Sequence, residues 1–383
     1  MTTEPAAGVE PGTRRSLLAE LTLLFLKLGA VSFGGPAAHI ALMEEETVVR
    51  RKWLPRAQFL DMIAATNLIP GPNAAEMAIW IGYLRARWSG LLVAGLAFIL
   101  PGALASSLLA WVYGRYGALP ELQHVLRYGV HPAVLVVILA AAVRLGRSAI
   151  PRWWWGLWTG VGFALAMLGV DPLWILIGAG LIAVARKVLP RLSTGLLAAG
   201  ALIGEAVPPS PTAGTVGLFF LKVGALLFGS GMMLFAFIER EVVGRGWLTA
   251  SQLADAIAAG QVTPGPVLSS ATFIGWLLAG PGGAALATGA VFFPAFLIVA
   301  FLGPLLPRLQ KRQGAREFLN GVSAAVVGVI LAVTVRLALG VPWDMGAALL
   351  LATSAGLVFL AKWPAWGVIL LGLAVGGLRY LVG

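Results

Sequence analysis

Long apolar runs separated by short polar clusters fill the chain, and the runs set its elements. In the first half they cover 17–43, a pair at 57–69 and 73–84, then 90–112, 130–146, 154–170 and 172–187. Most reach or approach the roughly 20 apolar residues that a helix needs to cross a bilayer. The pair does not, because Pro70-Gly71-Pro72 divides it into pieces too short to span. Proline fixes φ and lacks an N–H, so it stops one helix and suits the first turn of the next. The stretch therefore predicts a broken, re-entrant helix pair. "FLKLGAVSFGGP" (25–36) is a second anomaly, placing Lys27 and the helix breakers Gly34 and Gly35 inside an apolar run.

The pattern then returns. Phe25-Leu26-Lys27-Leu28-Gly29-Ala30 matches Phe220-Leu221-Lys222-Val223-Gly224-Ala225, and Phe33-Gly34 matches Phe228-Gly229. Trp53-Leu54 matches Trp247-Leu248, Asp61 matches Asp255, Pro70-Gly71-Pro72 matches Pro264-Gly265-Pro266, and "VILAAAVRL" (137–145) matches "VILAVTVRL" (329–337). The organisation that follows is a polar segment 1–16, a repeat 17–187, a linker 188–213 and a second repeat 214–383.

If each broken pair is re-entrant, each copy crosses the membrane five times, and an odd number of crossings inverts the second copy. Charge placement tests this. Arg85 and Arg87 precede the third element of the first copy, whereas "AGPGGA" (279–284) has no charge. Between the third and fourth elements the bias reverses, with Arg308, Lys311, Arg312 and Arg316 in the second copy. Basic residues mark cytoplasmic loops, so the shift predicts inverted topology. Arg14 and Arg15 run against it, since this arrangement puts the N-terminus outside. The fold expected is an all-α polytopic membrane protein of two inverted-topology repeats, with about ten transmembrane helices and two re-entrant pairs at the PGP motifs.

Composition sharpens this reading. Of 383 residues 59% are hydrophobic and only 11% charged, where a soluble domain carries about 25% charged residues. The net charge of +11 lies in clusters between apolar runs, so nucleic acid is not the partner it points to. Zero cysteines exclude disulfides and thiolate chemistry. No GxxxxGK[ST], HExxH or GxSxG is present, which leaves no sequence ground for a nucleotide-driven pump or an enzyme, and no cofactor or metal is implied.

The chemistry concentrates at the breaks. Irregular backbone at membrane depth is tolerated only where protein or a water-filled cavity satisfies it. Half-helices starting near Asn73 and Val267 would point free N–H groups and a positive dipole end there, a ready anion site. Asn67, Gly71 and Asn73 flank the first break; Thr263, Gly265 and Ser269 flank the second. Lys27 and Lys222, costly inside a bilayer at about 2.5–3.5 kcal/mol each, could converge on one dianion, with Gly34, Gly35 and Gly229 allowing close backbone approach. Glu76 is the candidate proton-coupling group. Glu44, Arg51, Glu239 and Arg245 belong to charged clusters that read as a gate or a salt-bridged loop end. Asp61 and Asp255 read as caps or partners of arginines.

The segments "FGGPAAHIALMEEE", "FLDMIAATNLIPGPNAAEMAIWIGY" and "GWLTASQLADAIAAGQVTPGPVLSSATFIGWLLAG" resemble the chromate ion transporter family, in its long-chain, two-domain form. The resemblance implies a carrier in the bacterial plasma (inner) membrane that exports chromate, driven by the proton motive force, with sulfate as a further substrate. The chain departs from the family pattern at Ala74, Ala75 and Trp80, where hydroxyls and an imidazole are usual. The partners expected are thus an oxyanion, protons and the lipid bilayer, with a homodimer left open. Sulfate carriage in either direction and an anion channel are the alternatives.

Overall fold

The computed structural model describes residues 11–33, 35–66, 69–149, 153–188, 211–227, 231–302 and 313–382. Among the described residues every regular element is a helix. The first half contains α1 (Pro11–Val31), α2 (Pro36–Glu44), α3 (Arg56–Thr66), α4 (Asn73–Tyr116), α5 (Pro120–Val125), α6 (His131–Ala149), α7 (Trp153–Met167) and α8 (Pro172–Val188). The second contains α9 (Ala213–Leu226), α10 (Met233–Ile238), α11 (Ala250–Val262), α12 (Ser270–Leu302), α13 (Gln313–Leu339), α14 (Met345–Phe359) and α15 (Ala365–Val382). The chain is a multi-pass membrane protein. Among the described residues five helices are long and apolar enough to span, Asn73–Tyr116, Pro120–Arg147, Val267–Phe301, Glu317–Leu339 and Ala365–Val382, and four further apolar helices have 10–17 residues. Leu92, Leu96, Leu100, Leu104 and Leu108 recur every fourth residue along α4 and stay exposed, an apolar stripe facing outward as lipid contact requires.

The run 17–43 is not one helix. It ends at Val31 and restarts at Pro36, with Gly35 at φ 87° ahead of that proline. A glycine in the left-handed region followed by a proline cannot continue a helix. The matching segment of the second copy separates α9 from α10. Both α2 and α10 then run into a π-helical turn, Glu45–Arg50 and Glu239–Val243.

Past each break the chain makes a tight helical hairpin. α4 bends at Ala86 and Arg87 (φ −141° and 52°), and α12 at Ala279 and Gly280 (φ −148° and 62°). Gly82 lies so close to Gly90 that a Cβ on either would overlap the other's carbonyl, and Gly275 and Gly283 repeat the contact. α1 packs on α4 with Gly29 against the Phe98 carbonyl, and α9 packs on α12 with Gly224 against that of Val291. Small residues letting backbones approach are the usual means of helix association in lipid.

The copies interlock. α4 packs on α12; α13 packs on α7 and α8 of the first copy, while α6 packs on α14 and α15 of the second. Gly129, before α6, sits against Gly372 and Gly376 of α15, and Gly321 of α13 against Ala179 and Ala183 of α8. The core therefore runs continuously between the halves.

Candidate functional site

The two PGP breaks end α3 and α11 and start the helices that follow. At the first, Gly71 (φ 148°) donates its N–H to the carbonyl of Leu227, at the end of α9, over 2.7 Å. At the second, Gly265 (φ 86°) donates to the carbonyl of Ser32, just after α1, over 2.9 Å. Ser32 and Leu227 are equivalent positions, so each break hydrogen-bonds the lysine-bearing helix of the opposite copy. Gly71, Pro72, Gly265 and Pro266 are all buried.

The surroundings differ in chemistry. Asn73 opens α4. After the second break a 3-10 turn, Val267–Ser269, comes first and α12 begins only at Ser270, rather than a half-helix at Val267. Ser269 and Ser270 turn their hydroxyls onto the carbonyls of Pro266 and Val267, at 2.8 and 2.7 Å, which explains the tighter turn. Thr263 ends α11 with its Oγ1 3.5 Å from Ser106 of α4, and Gly102 of α4 leaves no room for a side chain against Pro264 and Ser269. Gly34, Asn67 and Gly229 lie outside the described residues.

Unsatisfied polar atoms gather here. Buried polar groups are almost always hydrogen-bonded, so the exceptions are informative. Among the described residues the buried side-chain atoms without a partner are Ser32 Oγ, His39 Nδ1, both oxygens of Glu76, Arg85 Nε and Ser354 Oγ. Ser32 and Glu76 adjoin the breaks, and His39 reaches the Ser32 carbonyl through Nε2 at 3.3 Å.

The lysines are held by carboxylates. Lys27 pairs with Glu46 at 3.0 Å and Lys222 with Glu241 at 2.9 Å. Arg50 approaches Glu46 at 3.4 Å and Arg245 approaches Glu241 at 3.7 Å, so a Lys–Glu–Arg cluster forms in both copies on the π-helical turns. Lysine and glutamate are 19 residues apart in each copy; that preserved spacing is the sequence signal that identifies the pairs. Of the other charged residues, Arg51 pairs with Glu46 at 3.4 Å and with Glu20, and Glu44 pairs with Arg56 at 3.0 Å. Glu239 takes Nη1 of Arg336 at 2.7 Å, and Arg336 also reaches the Ala166 carbonyl of the first copy.

Asp255 does not pair with an arginine. Buried in α11, it accepts from Tyr113 of α4 at 2.7 Å and meets Nε2 of His131 at 2.9 Å. Both partners belong to the first copy, whereas Asp61 is exposed on α3. A cavity of about 180 Å³ opens beside Tyr113 and Asp255, lined mostly by apolar side chains such as Leu126, Val262 and Phe273. Among the described residues no group of three His, Cys, Asp or Glu side chains could hold a metal.

Comparison with known proteins places these features in context. The family model described as chromate transporter matches the chain twice, over residues 19–184 and 214–377. A chromate transport protein of Cupriavidus metallidurans is 32% identical over 388 residues, 97% of this chain and 96% of the relative. One from Pseudomonas aeruginosa is 33% identical over 385 residues, 95% and 92% of the two chains. A probable chromate transport protein of Synechococcus elongatus is 34% identical over 332 residues, 84% of each. No solved structure matches.

Proposed function

Because the chain belongs to the chromate transporter family, we propose that it is a secondary transporter carrying chromate out of the cell across the bacterial plasma membrane. The proton motive force drives it, and sulfate is the competing substrate of the same tetrahedral, doubly charged class. Names of relatives support the substrate.

One observation carries the mechanism: the reciprocal hydrogen bonds Gly71–Leu227 and Gly265–Ser32. They tie each break to the opposite copy, so rocking of one copy against the other acts on both breaks together. The inverted arrangement of the repeats supplies the two equivalent states that alternating access needs. The oxyanion sits between the breaks, beside Gly71, Asn73 and Asn67 on one side and Thr263, Gly265 and Ser269 on the other, and takes over the Gly71 and Gly265 N–H groups and the Ser269 hydroxyl from the carbonyls of Leu227, Ser32 and Pro266. Gly34, Gly35 and Gly229 allow the lysine-bearing helices to close on it. Lys27 and Lys222 supply positive charge as they exchange Glu46 and Glu241 for the dianion. Glu44, Arg51, Glu239 and Arg245 hold the charged ends of the pathway, and Glu76 couples proton movement.

Labelled chromate and sulfate flux into everted membrane vesicles, with and without an imposed pH gradient, tests this. Saturable chromate uptake that collapses with the gradient is the expected result. Single-channel conductance in a voltage-clamped bilayer, or uptake indifferent to the gradient, overturns the carrier reading.

A further inference from the structure

α11 ends at the second break, and Asp255 lies about two turns before its last residue, Val262. Its buried carboxylate meets the Tyr113 hydroxyl at 2.7 Å and Nε2 of the equally buried His131 at 2.9 Å. An ionised carboxylate can only accept, so both partners donate to it and Nε2 carries the ring proton. Two cavities meet at this chain of bonds. One of about 20 Å³, enough for a single water, is lined by His131 and Ser251 among mostly apolar residues. The other, of about 180 Å³, is lined by Tyr113 and Asp255 and extends to Val262, next to Thr263 of the break. The two share no lining residue, so the contact between His131 and Asp255 is the polar link from one to the other. Chains of histidine and acidic side chains are the usual material of proton relays in membrane proteins.

From this we infer that Asp255 is a proton-binding site of the transport cycle, loaded through His131. The inference rests on the proton-driven reading above. It puts a protonatable carboxylate on the helix that ends at the second break, as Glu76 is on the helix that starts at the first. A proton taken up at the other ring nitrogen of His131 lets Nε2 pass its own to Oδ1 of Asp255. The ring ends neutral with one proton and the aspartate becomes a neutral acid, so atoms and charge balance. The bond persists with its direction reversed, but the buried charge is gone. Ionised, Asp255 ties α11 of the second copy to Tyr113 and His131 of the first by charge-assisted bonds, roughly twice as strong as neutral ones. Protonation weakens both ties at once, which frees α11 and the break at its end to move against the first copy.

Other charges on the elements packed against α11 are engaged elsewhere. On the π-helical turn before it, Glu239 pairs with Arg336 of α13, Glu241 with Lys222, and Arg240 lies by Gly169. Arg379 of α15 pairs with Asp344 and lies over Tyr128. On α4, Glu76 lies over Gly71 at the first break, Arg85 stacks on Trp53 and Arg87 lies over Tyr83. Arg115 and Tyr116 at the end of α4, Arg127, Arg144 and Arg147 around α6, and Tyr380 of α15 are exposed. Glu317 lies about 30 Å along α13 from Leu337, which lines the small cavity. α10, α12 and the turn before α12 contain no titratable residue. Among the described residues His131 is thus the basic partner of Asp255.

The test is chromate uptake into everted vesicles holding the full-length chain, driven in turn by an imposed pH gradient and by an imposed membrane potential alone. Wild type should respond to both. Asp255→Asn should keep potential-driven uptake within a few-fold of wild type and lose the response to the pH gradient. Tyr113→Phe keeps the carboxylate but removes one donor from its ionised form, so the pH midpoint of gradient-driven uptake should move up by about one unit. Where Asp255→Asn is absent from the membrane, the Tyr113→Phe midpoint alone decides. An undiminished gradient response in membrane-resident Asp255→Asn, equal losses in both modes of uptake, or an unmoved midpoint in Tyr113→Phe refutes the proton site while leaving the transporter reading standing. A wild type that takes up chromate but ignores the pH gradient refutes proton coupling, and this inference with it.

Discussion

Lys52, Arg87 and Lys362 all have φ between 52° and 56°, a left-handed backbone that a side chain makes costly. The equivalents of Lys52 and Arg87 in the second copy are Gly246 and Gly280, also at positive φ. The repeat has kept these two backbone turns and lost the glycine from one copy of each. Strain of about 1–2 kcal/mol per left-handed residue is partly offset by glycine's greater freedom in the unfolded chain, about 0.5–1 kcal/mol. Lys362→Gly should therefore stabilise the fold by up to about 1 kcal/mol, read as a modestly higher melting temperature in detergent; a lowered melting temperature contradicts this. Residue identity also revealed Lys27, Lys222 and the PGP motifs directly. The carboxylates on those lysines were visible as loop charges but not as partners, because 19 residues of intervening chain hide the contact. Tyr113, His131 and Asp255 were hidden more deeply: the cluster joins three helices across the copies, and no repeat equivalent announces it.

Among the helices, the packing faces are set by glycines rather than large apolar side chains. Gly129 and Gly372 meet back to back, and a Cβ on Gly129 would run into the Gly372 carbonyl. Gly129→Leu should cost about 1–3 kcal/mol by overpacking and be read as lost thermal stability, whereas Gly156→Leu on α7, where a Cβ meets open space, should be close to neutral. Similar losses from the two variants would discount the interlock. The α14 N-terminus has its own fastening: Asp344 accepts the Ala347 N–H at 2.7 Å and pairs with Arg379 of α15. The Arg379 guanidinium, aided by that N–H, lowers the Asp344 carboxyl from its ordinary 3.8 to about 2. A depressed pKa gives stability that is present above 3.8 and lost as pH falls through 2. Melting curves of wild type and Asp344→Asn should differ near pH 6 and converge as pH drops toward 2; a constant gap would sink the assignment. Helix boundaries were largely legible from the apolar runs. The split of 17–43 was signalled by Gly34-Gly35-Pro36, but hydrophobicity continues through the break and masks it.

At the scale of the molecule, the repeat makes the two halves predict each other's contacts. The chain has no native cysteine, so single-cysteine variants report position cleanly. Arg87→Cys and Gly280→Cys mark the same hairpin bend in the two copies. Inverted topology requires a membrane-impermeant maleimide to reach one in intact cells and the other only in everted vesicles. Labelling of both from one side would rule that topology out.

The central claim is that the two breaks form one oxyanion site. The direct measurement is chromate protection of a thiol placed at each break in turn, Asn73→Cys on the first and Ser269→Cys on the second, in the reconstituted full-length chain. One site predicts that chromate slows alkylation at both positions with the same half-saturating concentration. Protection at one break alone, or at concentrations that differ by about tenfold or more, beyond the few-fold perturbation expected from each substitution, would contradict it.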